Sequence, residues 1–350
     1  MNVTVAICTW NRADLLDRTL TGLRDLRVPP GLQWEVVVVN NNCSDHTDAV
    51  VARHGGSLPL RCVNEPTPGL SHARNRAIAE STGDLIVFAD DDVLVDTEWL
   101  AEYAAAADRF PNAGVFGGTI DPWFATEPPR WVRRHFGRIE AIYAVRQLGP
   151  DVRPLAPGEE LYGASIAFRR AAIPGLRFDP AFGRNRGEML HGEETDLTAR
   201  VLASGWGGVW VGTAKLRHFI PAKRTTAAYV RSYYAGVGRT KQRRDGAPAT
   251  DVPLLFGMPR WMVRRFVSER VRAAVRSPLR DEAWFDSLRT SAMLWGRMTE
   301  CRAMAKQAAL VPSPWEGGGL GWGSLRAGTF TPTLPPQGGG GQKSRKGVPA

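Results

Sequence analysis

Three consecutive carboxylates, Asp90, Asp91 and Asp92, directly follow the apolar residues 85–89. Carboxylates this close repel one another, so their clustering costs folding energy unless positive charge binds beside them. Mg²⁺ and Mn²⁺ prefer oxygen ligands and can bridge a carboxylate to a diphosphate. The triplet therefore indicates a divalent-cation site. The alternative is a solvated acidic helix start, because helix N-termini also favour carboxylates.

A second acidic group opens a helix predicted at residues 194–204. Glu193, Glu194 and Asp196 crowd its first turn. A carboxylate held in a cleft can act as a general base, taking the proton of an attacking hydroxyl group. The alternative is that these carboxylates only complement the positive end of the helix dipole.

Two other segments place small or polar residues in apolar surroundings. In the strand predicted at residues 162–169, Gly163 lets the backbone approach a ligand and Ser165 offers a hydroxyl group. The alternative is a plain buried strand. His218 is predicted to end a short strand, and an isolated histidine is either a ligand or a structural residue.

The elements that position these residues alternate along the chain. Strands are predicted at residues 3–9, 35–39, 60–63, 84–89 and 114–120, and helices at 14–26, 45–53, 70–81 and 97–110. This alternation predicts an α/β fold with a Rossmann-like, mostly parallel central sheet flanked by helices. Such sheets bind ligands beyond the carboxyl ends of their strands, where residues 9–12, 40–42 and 90–92 lie.

The remaining segments are less regular. Residues 122–158 are predicted to form an irregular excursion over the site, and residues 208–211 a short strand. Helices are predicted at 225–239, 259–276 and 281–309, within a basic C-terminal extension that spans residues 221–310. Residues 311–350 contain 17 Gly or Pro residues, which predicts a disordered tail.

Charge is distributed unevenly along the 350 residues. The formal net charge is +10, but residues 1–220 carry −4, residues 221–310 carry +11 and residues 311–350 carry +3. A net-negative first part without a nucleic-acid motif argues against nucleic-acid binding. The four cysteines lack paired spacing, and neither a signal peptide nor an apolar run of about 18 residues is present, which predicts a cytoplasmic protein.

The basic residues of segment 259–276 alternate with apolar ones, among them Trp261, Met262, Phe266 and Val267. This composition suits an amphipathic helix that lies on an anionic membrane, on the inner face of the cell membrane. The alternative is a solvated basic helix that packs on the first part of the chain.

Several of these segments occur in a specific order: residues 5–12, 40–45, 69–76 and 83–92, then Gly163, residues 192–197 and His218. In this order they resemble family 2 glycosyltransferases of the GT-A fold, over about residues 1–240. The resemblance implies a GT-A catalytic domain at residues 1–220. Its nucleotide-binding half would span about 1–120 and its acceptor half about 121–220.

The resemblance also implies roles for single residues. The nucleotide-sugar donor would be contacted by Thr9, Asn11, Arg12, Asn40, Asp45, Arg74, Asp90 and Asp91. Asn40 stands where the family usually has Asp, and an amide donates as well as accepts hydrogen bonds. Uracil, guanine and thymine donors therefore all stay open.

For the chemistry, the resemblance implies that Asp92, Asp90 and His218 hold Mg²⁺ or Mn²⁺. Glu194 matches the usual base, but it is one methylene longer than the family's Asp, which keeps Glu193 as a rival. Gly163 and Ser165 would face the sugar and the acceptor.

The implied activity is an inverting, metal-dependent transfer of one sugar from a UDP-, GDP- or dTDP-sugar. The acceptor would be a hydroxyl group of a glycan or of a lipid-linked intermediate of cell-surface polysaccharide synthesis. The alternatives are a catalytically inactive binding protein of the same fold and, with less support, a basic nucleic-acid-binding protein.

Overall fold

The computed structural model of the chain describes residues 1–184, 190–249 and 251–310. The tail predicted at residues 311–350 lies outside the described residues. Within these ranges the strands are β1 (Asn2–Thr9), β2 (Gln33–Asn40), β3 (Leu60–Asn64), β4 (Leu85–Asp90), β5 (Val93–Val95), β6 (Ala113–Phe124), β7 (Val152–Pro154), β8 (Ser165–Arg169), β9 (Gly207–Ile220), β10 (Leu254–Leu255) and β11 (Met258–Pro259).

The α-helices of the same ranges are α1 (Ala13–Leu23), α2 (Thr47–His54), α3 (Leu70–Glu80), α4 (Trp99–Arg109), α5 (Arg130–Arg134), α6 (Phe136–Ile139), α7 (Glu193–Ala203), α8 (Ala227–Asp245), α9 (Arg260–Val275) and α10 (Glu282–Leu310). Their order confirms the predicted α/β fold with helices after the last strand of the large sheet.

Nine strands form one mixed sheet, in the order β3-β2-β1-β4-β8-β6-β9-β5, with β7 paired to β9. Strands β3, β2, β1 and β4 are parallel, and β8 enters antiparallel between β4 and β6. The register pairs Thr9 with Asn40 and Cys8 with Asp90. The carboxyl ends of β1, β2 and β4 therefore meet at one edge, as the sequence predicts.

Both faces of the parallel strands are covered. In β2, Val36 and Val38 belong to the apolar cluster with α1 and α4, whereas Val37 and Val39 belong to the cluster with α3 and α7. All four side chains are fully buried. A strand that is apolar on both faces is expected where helices cover both sides of a sheet.

Two predictions for the second half of the chain differ from the structure: one strand is longer than predicted, and one segment contains more regular structure than predicted. The strand predicted at 208–211 is the 14-residue β9, because Ala214, Leu216 and His218 alternate with exposed residues and continue its buried face. Segment 122–158 is not wholly irregular, since it contains α5, α6, a 3₁₀ turn at Glu140–Tyr143 and β7.

The C-terminal helices share cores with the earlier segments. Val230 of α8, Ala273 of α9 and Phe285 of α10 pack with Val132 and Tyr143. A smaller apolar cluster, formed by Met262, Leu294 and Met298, joins α9 to α10. In the part of the chain that the structure describes, none of the helices combines the length and the apolar character needed to cross a membrane.

Candidate active site

A cluster of possible metal ligands lies at the carboxyl end of β4. The antiparallel pairing of β5 with β9 sets His218 opposite Val93, and the backbone N–H of Phe219 donates to the Asp92 carbonyl at 2.8 Å. Ligand atoms of Asp90, Asp92 and His218 consequently lie within 4.8 Å of one another.

The tautomer of His218 suits a ligand. Its Nδ1 lies 2.6 Å from the carbonyl oxygen of Tyr143, and because a carbonyl only accepts, Nδ1 carries a proton. In the neutral ring this leaves the lone pair on Nε2, which lies 3.2 Å from Asp92 Oδ1. That carboxylate oxygen is buried and has no hydrogen-bond partner in the part of the chain that the structure describes. Two carboxylates and an oriented imidazole form a donor set that a divalent cation can use.

Positive side chains surround the buried carboxylates. Arg12 contacts both Asp91, at 2.6 Å, and Asp92, and Arg224 approaches Asp92 to 3.7 Å. Burial would raise the pKa of Asp92, but contact with the His218 ring and the charges of these two arginines hold the pKa well below its usual range. Asp92 is therefore ionised throughout the neutral range.

Asp91 is a buried acceptor of hydrogen bonds from two other residues of the site. Thr9 donates its hydroxyl group to Asp91 Oδ2 at 2.8 Å, while Arg12 Nη1 donates to Oδ1. Burial raises the pKa of Asp91 to about 7 despite the Arg12 charge. Of the predicted donor contacts, Thr9 and Asp91 thus bond to each other and position the guanidinium of Arg12.

Arg74 links the metal cluster to the acidic start of α7. Its Nη1 donates to Glu193 Oε1 at 2.8 Å, and its Nη2 lies 3.6 Å from Asp90 Oδ1. The guanidinium is buried and lies over the rings of Phe88 and Phe178. Gly163 makes this possible, because a Cβ at that position would collide with the Arg74 guanidinium.

Gly163→Ala is expected to displace Arg74 and to lower the activity of the site about tenfold, which corresponds to about 1.4 kcal/mol in a reaction barrier. Overpacking of this kind costs roughly 1–3 kcal/mol of stability. The measurements are kcat/KM and the unfolding midpoint, with Gly56→Ala as the control, because a Cβ at Gly56 meets no neighbour. Wild-type activity in Gly163→Ala would contradict the assigned role of this glycine.

The two glutamates that begin α7 have different surroundings. Glu193 is buried and paired with Arg74. Glu194 is half-buried, and within residues 1–184, 190–249 and 251–310 its Oε2 has no hydrogen-bond partner. Desolvation and the nearby Glu193 charge raise the pKa of Glu194 to about 8. Glu194 therefore has both an unengaged oxygen and a pKa close to the working range of a general base.

These groups line one cavity of about 1360 Å³. Of the residues predicted from the sequence, its walls include Thr9, Asn11, Arg12, Asp45, Arg74, Asp90, Asp91, Asp92, Gly163, Glu193, Glu194 and His218. Asp45 also accepts a hydrogen bond from the backbone N–H of Ala13, at 3.0 Å, and so stabilises the start of α1. The structure thus brings twelve of the fourteen predicted residues to one cavity.

Asn40 and Ser165 do not line it. The Asn40 amide donates to Asp48 and accepts from the backbone N–H of Cys43, both at 2.8 Å, so it stabilises the turn after β2. The Ser165 hydroxyl lies in the core between Trp99 Nε1, at 3.1 Å, and the Tyr103 hydroxyl, at 2.8 Å. Successive strand residues point to opposite faces, and Ser165 points away from the cavity.

The sequence did not predict that residues after β9 form part of the cavity wall. The additional lining residues from this region include Lys223, Arg224, Tyr229, Tyr233, Lys241 and Arg244. Arg244 donates to the Gly192 carbonyl at 3.0 Å, immediately before the two glutamates. The only sequence signal for this wall was the local excess of basic residues, which does not tell a surface helix from a cavity wall.

Comparison with known proteins indicates the family of the chain. The model of glycosyl transferase family 2 matches residues 4–172. Succinoglycan biosynthesis protein ExoM of Rhizobium meliloti is 26% identical over 247 residues, covering 69% of this chain and 75% of that protein. An uncharacterized glycosyltransferase of Mycobacterium bovis is 30% identical over 178 residues, covering 49% of this chain and 75% of that protein.

Among solved structures, TarS 1-349 of S. aureus in complex with UDP-GlcNAc superposes with a TM-score of 0.50 at 15% identity. The superposition covers 88% of this chain and 92% of that one. The GT-A fold predicted from the sequence is thereby confirmed, and the fold and the family match define a glycosyltransferase. The chain belongs to glycosyl transferase family 2.

Proposed function

We propose that this glycosyltransferase is inverting and metal-dependent and moves one sugar from a nucleotide-diphosphate sugar to an acceptor hydroxyl group. The observation that carries the proposal is that the Asp90–Asp92–His218 cluster lines the same cavity as Glu194, whose Oε2 has no hydrogen-bond partner among the described residues. A single displacement needs both a site for the departing diphosphate and a base for the attacking hydroxyl group.

In the proposed reaction, Glu194 takes the proton of the acceptor hydroxyl group. The acceptor oxygen forms a bond to the anomeric carbon while the bond from that carbon to the donor phosphate oxygen breaks. The electron pair leaves with the nucleoside diphosphate, and the configuration at the anomeric carbon inverts. Arg74 holds Glu193 in place by an ion pair, and burial together with the neighbouring Glu193 charge raises the pKa of Glu194.

Mg²⁺ or Mn²⁺ would be held by Asp90, Asp92 and His218, and would supply Lewis-acid stabilisation of the departing diphosphate. Arg12 and Arg224 contact Asp92 and add positive charge there, and Lys223 also lines the cavity. The nucleotide base stays open among uracil, guanine and thymine, because Asn40 is engaged in the turn after β2.

For the acceptor, we propose a glycan or lipid-linked intermediate of cell-surface polysaccharide synthesis. The similarity to a succinoglycan biosynthesis protein supports the polysaccharide part. Residues 1–220 would form the catalytic domain. The extension 221–310 would complete its acceptor side, since Tyr233 and Arg244 of α8 line the cavity.

We further propose that the enzyme is cytoplasmic and binds the inner face of the cell membrane through residues 259–276. Met262 is buried against Leu294 and Met298 of α10, and Phe266 is partly buried against the same cluster, so neither presents its full surface to lipid. The exposed face of α9 instead presents the row Val267, Val271 and Val275 between arginines. Apolar and basic side chains on one face suit an anionic membrane surface.

A donor panel tests the transferase proposal. Purified protein is incubated with UDP-, GDP- and dTDP-sugars and Mn²⁺ or Mg²⁺, and nucleotide release is followed. One donor should be turned over, and chelation of the metal should stop the reaction. Failure to bind or turn over any donor with either ion would contradict the proposal.

A further inference from the structure

The hairpin β10–β11, residues 254–259, exposes three consecutive large apolar side chains. Leu254, Leu255 and Phe256 have 46%, 39% and 79% of their surfaces accessible to solvent. In the hairpin, Leu254 pairs with Pro259 and Leu255 pairs with Met258. Phe256 and Gly257 form the two-residue turn at its tip. Contiguous exposed apolar surface of this kind marks an interaction site.

The backbone of this turn is unfavourable for the residue it carries. Phe256 has a φ of 51° and Gly257 a φ of 76°. Two-residue turns with both central residues in the left-handed region favour Asn-Gly, and a bulky side chain is an outlier there. Phe256 thus combines backbone strain with exposure of an aromatic ring, and such strain is characteristic of functional sites.

The hairpin is attached to the protein on its other side. Met258 packs against the cluster of Met262, Leu294 and Met298, and the backbone N–H of Arg260 donates to the Pro253 carbonyl at 2.9 Å. The base of the hairpin is therefore held against α9 and α10, while its tip points outward.

The positive charge around the tip of the hairpin indicates which kind of partner it binds. Arg260 and Arg264 are exposed on the first turns of α9, next to the hairpin, and residues 221–310 carry a formal charge of +11. Pairing two copies of this surface would bring like charges together. An anionic bilayer instead accepts the apolar tip in its acyl region and the arginines at its headgroups.

We propose that the hairpin 254–259 inserts Leu254, Leu255 and Phe256 into an anionic membrane. This inference rests on the membrane contact proposed above for α9 and adds a point of insertion to it. Asp245, at the end of α8, lines both the large cavity and a second cavity of about 220 Å³ that Pro259 and Trp261 also line. Insertion of the hairpin would therefore hold the active-site cavity beside the bilayer surface.

The test measures binding of the full chain to phosphatidylcholine vesicles with and without phosphatidylglycerol, at low and at high salt. Phe256→Asn replaces the exposed ring with a residue that favours this turn. It is expected to weaken binding to the anionic vesicles about tenfold, as loss of one buried aromatic side chain implies, with unchanged or higher thermal stability. Leu202→Asn is the control, because Leu202 is also an exposed apolar residue, at 40%, but lies on α7.

The outcomes separate the two membrane proposals. If the wild-type chain binds no anionic vesicles, both the α9 contact and the hairpin insertion are wrong. If the wild type binds and Phe256→Asn binds equally well, only the insertion is wrong. Loss of binding in Leu202→Asn as well, or concentration-dependent dimerisation that Phe256→Asn abolishes, would also overturn the insertion.

Discussion

Replacing Asp92 with Asn should abolish metal-dependent donor turnover. We expect a loss of at least about 1000-fold in kcat/KM, since a catalytic cation contributes several kcal/mol to stabilising transition-state charge. Asp92 is the cluster member with a buried oxygen that no described residue hydrogen-bonds. Direct titration with Mn²⁺, followed by calorimetry, checks whether the loss in rate comes from a loss of the ion.

Asp96→Asn is the matched control, because Asp96 lies in the same segment, is exposed and is absent from the ligand cluster. Removing the Asp92 charge also leaves Arg224 without this buried carboxylate and Arg12 with Asp91 alone, which lowers stability. The folded fraction is therefore measured alongside. Wild-type affinity for Mn²⁺ in a folded Asp92→Asn variant would show that the carboxylate is only a partner of these arginines.

Replacing Glu194 with Gln should reduce transfer by about 100- to 10,000-fold while donor affinity stays unchanged, which is the range of a lost general base. The comparison variant is Glu193→Gln. Because Glu193 is the buried partner of Arg74, its loss should lower stability and disturb the donor site as well. If Glu193→Gln alone lost transfer while remaining stable and binding donor normally, Glu193 would be the base.

The same assignment predicts a pH profile. The base must be deprotonated, and the pKa of Glu194 is raised from 4.5 to about 8, so kcat/KM should rise about tenfold per pH unit below 8 and level off above it. Glu194→Gln should remove this rise. A raised carboxyl pKa also means that folding stability falls as pH increases from 4.5 toward 8, so the Gln variant should be the more stable protein at pH 9.

Much of the fold could be predicted because its signals are local. Helix α3 was predicted at residues 70–81 and runs from Leu70 to Glu80. The apolar strands predicted a mostly parallel sheet, and the carboxyl ends of neighbouring parallel strands lie at the same edge of such a sheet. This is why residues 9–12 and 90–92, far apart in the chain, were correctly expected to lie together.

The direction of a side chain within an element, and the length of an element, were harder to predict. Ser165 begins β8, but its hydroxyl group bonds to Trp99 and Tyr103 of α4 in the core. Likewise, β9 extends to Ile220 because its pairing with β6 continues through Phe124. Neither the packing of α4 nor the length of the β6 partner is encoded in the neighbouring residues of the sequence.

The sequence by itself determined which chemistry is available: three aspartates after a buried strand, two glutamates at a helix start and a histidine near the end of a strand. The tertiary structure decided how these groups differ. Arg74 and Glu193 lie 119 residues apart, and their pairing distinguishes a supporting glutamate from one with an unengaged oxygen. Residue type is a local property, whereas burial, charge partners and pKa depend on contacts between distant segments, which only the folded chain creates.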